Sequence, residues 1–208
     1  MVRRRVATLL LTLALAGCSG GLLPAPAPPP KLYRLSPAEA ASTDDAPIKA
    51  QILVGSVAAP GALDTARIAL SPSATRLEYF ADAEWTDRAP VLIDNLLLDT
   101  LAHAGRFSRV AQRSLALRAD YVVLGALDHF EANYSTGTPP QVRVTLDLRL
   151  LRMPDGNILA QRQFTATVPA TQNTVPAVVE AFDTASHRAL HDVPAWVADS
   201  LPRSAKQP

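Results

Sequence analysis

The chain is poor in the residues that staple or catalyse. Its 208 residues contain one cysteine, Cys18, so neither an intrachain disulfide nor a cysteine-based zinc site can form. Glycine is scarce, with nine scattered residues, and no phosphate loop, dinucleotide fingerprint or nucleophile elbow is present. Charge of one sign is also lacking. Twenty basic residues face 19 acidic ones. Without Arg3, Arg4 and Arg5 the balance is 17 against 19, or −2, which leaves no electrostatic footprint for nucleic acid. No apolar run reaches the roughly 20 residues a membrane-spanning helix needs. Charged residues are only 19 % and hydrophobic ones 48 %, so the chain has the means to bury a core and is not disordered as a whole.

What is present begins at the N-terminus. Arg3-Arg4-Arg5 precedes the apolar stretch Val6 to Ala16, and Leu15-Ala16-Gly17-Cys18 follows. A positive region, a short apolar region and small residues make residues 1–17 an export signal. Small residues before a lone cysteine resemble the lipobox of bacterial lipoproteins. That resemblance implies acylation of Cys18 by three chains, cleavage before it, and a durable membrane anchor, since stable anchoring takes at least two chains. Ser19 stands where an aspartate would favour inner-membrane retention, so the resemblance implies transfer to the periplasmic face of the outer membrane. Residues 18–30 then form a Pro-rich tether of a few tens of ångströms, at about 3.1 Å per residue.

The folded domain is expected over residues 31–200, with a disordered tail at 201–208. Alternation predicts strands at Lys31–Leu35 and Gln51–Val57, with a polar loop at 36–48 between them. The runs Arg67–Ser71 and Thr75–Tyr79 flank Pro72-Ser73 and read as a hairpin. A helix follows, capped by Asp87, with Pro90 in its first turn and Gly105 as its stop. Its apolar stripe is Leu92, Ile93, Leu96, Leu97 and Leu101. Strands are expected at Phe107–Val110, Asp120–Phe130, Gln141–Leu151 and Ile158–Val168. Pro154-Asp155-Gly156-Asn157 turns the last two into a hairpin. A final helix at 175–199, capped by Thr174, carries Val175, Val178, Val179, Phe182, Ala185, Ala189, Val193 and Trp196, and Pro194 should interrupt it. This order gives an α/β fold, a mixed β-sheet packed by two main amphipathic helices.

The candidate chemistry is thin. His187 and His191 lie four apart with Asp183 one turn earlier. Two ligands on a helix need a third and a supporting shell, so the column reads as a solvated polar face, and no metal is expected. Asp82, Glu84 and Asp87 read as carboxylates at a positive helix end rather than as an acid–base pair. Asn133-Tyr134-Ser135 matches a glycosylation acceptor by accident. Trp85, near Tyr79 and Phe80, is either an anchor packing helix on sheet or a binding contact.

Longer patterns carry a likeness: Tyr33-Arg34-Leu35, Val57-Ala58-Ala59-Pro60, Leu63 to Ile68, Leu77-Glu78-Tyr79-Phe80, and above all Glu84-Trp85-Thr86-Asp87-Arg88-Ala89-Pro90. Gly105-Arg106-Phe107, Ala119 to Leu124 and the terminal Trp196-Val197 complete it. The chain resembles the ABC-type transport auxiliary lipoproteins, the PqiC/YmbA-like family. The resemblance implies a fold similar to anticodon-binding-like or TolB N-terminal-like domains. It implies no catalytic residues and no cofactor beyond covalent lipid on Cys18. It implies an MCE-domain protein and an MlaE-type permease and ATPase as partners, moving lipids or other hydrophobic molecules between membranes. Tyr79, Trp85, Asp87 and Pro90 are the candidate partner-binding residues, and a homo-oligomer would suit a tunnel partner. The competing reading is a structural lipoprotein stabilising an outer-membrane or secretion complex. A periplasmic hydrolase is a distant third.

Overall fold

The computed structural model describes residues 28–38, 47–112, 119–153 and 155–202. The signal, Cys18, most of the tether, residues 39–46 of the polar loop and residues 203–208 of the tail lie outside the described residues.

Eight strands form one mixed sheet: β1 (Lys31–Tyr33), β2 (Ile48–Ala58), β3 (Arg67–Ser73), β4 (Arg76–Trp85), β5 (Phe107–Gln112), β6 (Tyr121–Asn133), β7 (Gln141–Arg152) and β8 (Ile158–Pro169). Strand β6 is the spine. Along one side it pairs with β7 over its whole length, antiparallel from Tyr121↔Arg152 to Asn133↔Gln141. On its other side β2 runs parallel to its first half, and β3 joins only at Leu70↔Ala132 and Ser71↔Asn133. The sheet therefore forks, with β2–β5 on one branch and β3–β4–β1 on the other. The β7–β8 hairpin extends the opposite side.

The period-2 pattern of β7 does the packing. Val142, Val144, Leu146, Leu148 and Leu150 are all fully buried, facing the helices. Their neighbours Arg143, Thr145, Asp147 and Arg149 line the opposite face, opposite Thr167, Thr165, Gln163 and Gln161 of β8.

Helix α1 (Ala89–His103) buries Ile93, Leu96, Leu97 and Leu101. Its N-cap is Arg88 rather than Asp87, and no side chain caps it. Asp87 instead accepts a hydrogen bond from the Arg88 N–H at 2.7 Å. Asp82 and Glu84 belong to β4, not to a helix end. Asp82 has φ +53° inside a bulge where β4 carries three residues more than β3, between Ala69↔Tyr79 and Arg67↔Glu84. That left-handed conformation is one that aspartate tolerates better than most residues. The β3–β4 turn falls at Ala74-Thr75, since Ser73 pairs with Arg76. Pro72 is thus inside β3, where a second register shift excuses its missing N–H.

The C-terminal helix divides as its proline requires. Helix α2 (Val175–Leu190) and helix α3 (Val193–Ser200) meet at His191-Asp192, with Pro194 in the first turn of α3. Thr174 is the N-cap of α2, without a side-chain cap bond. Gly105, at φ +63°, ends α1 in the left-handed conformation.

Candidate functional site

Of the expected partner-binding residues, the structure brings two to the inside. Trp85 ends β4 and is 1 % exposed. It packs at 5.5 Å from Phe130 and edge-on at 5.3 Å from Phe182, and those two rings are 4.7 Å apart. The cluster ties β4, β6 and α2 together. The Trp85 indole N–H is buried there without an acceptor. Pro90 is buried in the first turn of α1. Trp85 is therefore the anchor of its two readings, because a side chain so enclosed offers a partner no surface.

The other two expected residues, Tyr79 and Asp87, are reachable. Tyr79 is half-buried, its hydroxyl donating to the Ala62 carbonyl at 3.0 Å. The Arg67 guanidinium lies 3.6 Å from its ring centre. Asp87 is exposed, and Arg88 beside it forms a two-pronged bond to Asp64 at 2.8 and 3.0 Å. This patch is a braced surface at the mouth of the 60–66 loop.

A second cluster joins Asp183 and His187 of the histidine column to Ser36, a union without a signal in the sequence because Ser36 lies 147 residues before Asp183. Ser36 donates its backbone N–H to Asp183 Oδ1 at 2.7 Å and its hydroxyl to Oδ2 at 2.8 Å. His187 Nε2 is 3.0 Å from the same hydroxyl. Serine, histidine and aspartate together invite comparison with a hydrolytic triad, but the wiring is wrong. In a triad the carboxylate holds Nδ1 while Nε2 takes the serine proton. Here the carboxylate itself accepts the serine hydroxyl's hydrogen bond, and Asp183 lies 3.7 Å from Nε2. The cluster is a clasp that fastens the N-terminal segment to α2. It edges a cleft of about 580 Å³ between that segment, α1 and α2. His191 turns instead to Asp192 at 2.8 Å, so the two histidines do not converge. Among the described residues, no group of three or more His, Cys, Asp or Glu side chains is arranged to hold a metal.

A third cluster sits on the helix-free face, in the fork of the sheet. Glu131 is 5 % exposed and accepts from the Phe130 N–H at 2.8 Å and from Arg143 Nε and Nη2 at 3.3 and 3.1 Å. His129 Nδ1 lies 3.0 Å from Glu131 and 2.8 Å from Arg143 Nη2, so it either donates to the acid or accepts from the guanidinium. These groups line a cleft of about 470 Å³ with Asp128 and Ser135. The buried charge is matched by hydrogen bonds, as burial demands. Asn133, of the accidental acceptor motif, accepts from the N–H and hydroxyl of Ser135, closing a local turn.

One acid stands apart. Asp94 lies half-buried on α1 and accepts the Val57 N–H at 2.7 Å. Burial raises its pKa to about 6, and that hydrogen bond opposes the rise. The sequence did hold a signal for it, since residues 90, 94, 97 and 101 share one helical stripe and only position 94 is charged. The Asp155 pKa falls to about 2 under its hydrogen bonds from Arg152, at the β7–β8 turn.

A protein of Xanthomonas campestris, XCC0632, assigned to the family DUF330, superposes with a TM-score of 0.78 at 21 % identity, over 85 % of this chain and 99 % of that one. A second solved structure, of an uncharacterized protein, gives a TM-score of 0.64 at 14 % identity, over 82 % of this chain and 99 % of that one. These likenesses show the shared fold. No functionally curated protein matches significantly. The family described as the ABC-type transport auxiliary lipoprotein component matches residues 33–193, from β1 to the start of α3. The chain belongs to the ABC-type transport auxiliary lipoprotein family.

Proposed function

We propose that the chain is a non-enzymatic accessory subunit of an MCE/MlaE-type ABC transport system that moves lipids or other hydrophobic molecules between the two membranes. The family match over residues 33–193 carries this reading. The side-chain clusters support it, since each is engaged in bracing the fold: Ser36 with Asp183, Glu131 with Arg143, and Arg88 with Asp64. Among the described residues no helix is long and apolar enough to cross a membrane. Attachment is assigned to acyl chains on Cys18. Ser19 favours the periplasmic face of the outer membrane. The exposed part of the Tyr79–Pro90 segment, with Tyr79 and Asp87, is the surface assigned to the MCE-domain partner. Kinship of the fold with anticodon-binding-like and TolB N-terminal-like domains belongs to the same proposal.

Two measurements test it. Radioactive palmitate should label the wild-type chain and not the Cys18→Ala variant, and an unlabelled wild type would end the anchoring. Affinity capture from gently solubilised membranes should recover an MCE-domain protein. Recovery of a secretin or pilus assembly in its place would turn the function toward envelope structure.

A further inference from the structure

Strand β6 changes face at one point. Before it, Val123 and Leu127 point into the core, and after it Phe130 and Ala132 do. Odd positions give way to even ones because Asp128 is an extra residue, a bulge between Leu127↔Leu146 and His129↔Thr145. Without the bulge, positions 129 and 131 would fall on the core face. With it, His129 and Glu131 sit side by side on the helix-free face, and Arg143 of β7 lies directly opposite Glu131.

These three side chains make two contacts that exclude each other as hydrogen bonds. His129 Nδ1 is 2.8 Å from Arg143 Nη2 and 3.0 Å from Glu131 Oε1. A guanidinium only donates and an ionised carboxylate only accepts, while Nδ1 carries either a lone pair or a hydrogen. We propose that His129 is a proton switch. In the neutral ring the Nδ1 lone pair accepts from Arg143, and the ring hydrogen is on Nε2. A proton taken from solvent by Nδ1 turns that atom into a donor to Glu131, and Arg143 gives up the ring. Glu131 keeps the Phe130 N–H and Arg143 Nε in both states, so its buried charge is never left without partners.

The groups around the ring leave the choice to this proton. From β6 it faces Asp128 and Glu131, from β7 Arg143, and from β4 Arg76, which is taken up by Glu78 at 2.8 Å. The loop after β2 brings Pro60, Ala62 and Leu63, which carry no charge. Among the described residues lining the cleft, Arg76 and Arg143 balance Asp128 and Glu131 while the ring is neutral. The added proton leaves an excess of one positive charge there, and one Arg143 N–H without its acceptor. Histidine is the side chain suited to such a change between about pH 5 and 8.

The experiment uses the full-length acylated chain in detergent, with isotope-labelled histidine and arginine. Nitrogen NMR at about pH 8 should show a lone pair on His129 Nδ1 and a hydrogen on Nε2, and at about pH 5 hydrogens on both. The Arg143 Nε–H signal should move along the same titration curve, and should stay fixed over that range in His129→Gln. Arg143→Gln removes the opposing cation, so the ring should take its proton at a pH about half a unit higher, or more. Circular dichroism checks the fold of each variant, and the wild-type tautomer decides alone if Arg143→Gln unfolds. A neutral ring with its hydrogen on Nδ1 overturns the proposal. So does an Arg143 signal that ignores the titration of the ring, or a titration unmoved in folded Arg143→Gln.

Discussion

The two flanks of β6 are built by different rules. The β7–β8 flank is local, regular and almost unbroken, with eleven paired positions between β7 and β8 and one register shift. The β3–β4–β1 flank is assembled from distant pieces. Its strands carry two register shifts, a left-handed aspartate and an internal proline, and it touches β6 at two paired positions. The regular flank gets its order from alternation in its own sequence. The irregular flank gets it from the core, through Trp85 against Phe130 and Phe182.

If that contrast is right, removing the shared aromatic anchor should be the most damaging change. Trp85→Ala is expected to cost about 3–5 kcal/mol, as large-to-small core changes do. For a domain of this size that lowers Tm by roughly 10 °C. Hydrogen exchange should show β4 and β1 losing protection before β7 and β8. Equal loss on both flanks would erase the distinction.

A milder test falls where the branches join. A Cβ on Gly125 would lie 2.8 Å from Val57 Cγ2 and 3.1 Å from Leu148 Cδ2. Gly125→Ala should therefore cost about 1–3 kcal/mol through overpacking, read as a lower urea midpoint. On Gly55 the tight contact is with the far end of Leu124, at 2.4 Å, with the Val123 carbonyl and Val122 Cγ2 at 3.4 and 3.5 Å, so Gly55→Ala should cost less.

Next comes pH. The folded state holds the Asp94 proton to about pH 6, against 3.8 for the free side chain. Stability is then greatest below pH 3.8 as far as this group is concerned, and is lost as pH rises to about 6. Partial solvent access reduces the effect to about 1–2 kcal/mol. Asp94→Asn keeps an acceptor for the Val57 N–H and should flatten this part of the urea-midpoint profile. A profile unchanged by the substitution would remove Asp94 as its source.

The smallest effect is expected at the clasp. Asp183→Ala removes two hydrogen bonds at a half-exposed site, worth about 1 kcal/mol together. The global midpoint should barely move, while amide exchange at Leu35 and Ser36 speeds up severalfold.

The same contrast explains what could be read from the sequence. The β7–β8 hairpin, the split at Pro194 and the stop at Gly105 were legible because each is set by residues next to one another. The β3–β4 turn was placed two residues early, because Pro72 signals a turn and the register shift that hosts it leaves no local mark. Asp87 looked like a cap, yet the first helical residue is Ala89, and the cap position goes to Arg88. The burial of Trp85 depends on Phe182, almost a hundred residues later. The union of Ser36 with Asp183 likewise depends on how the chain closes, which no local pattern encodes.

The clasp also has a mechanical meaning. Any pull on the chain ahead of Lys31 loads three parallel pairs with β4 first, then the seat of Leu35 and the Ser36–Asp183 bonds. Residues 31–36 are thus the first part of the described fold to take a load applied from the N-terminal side.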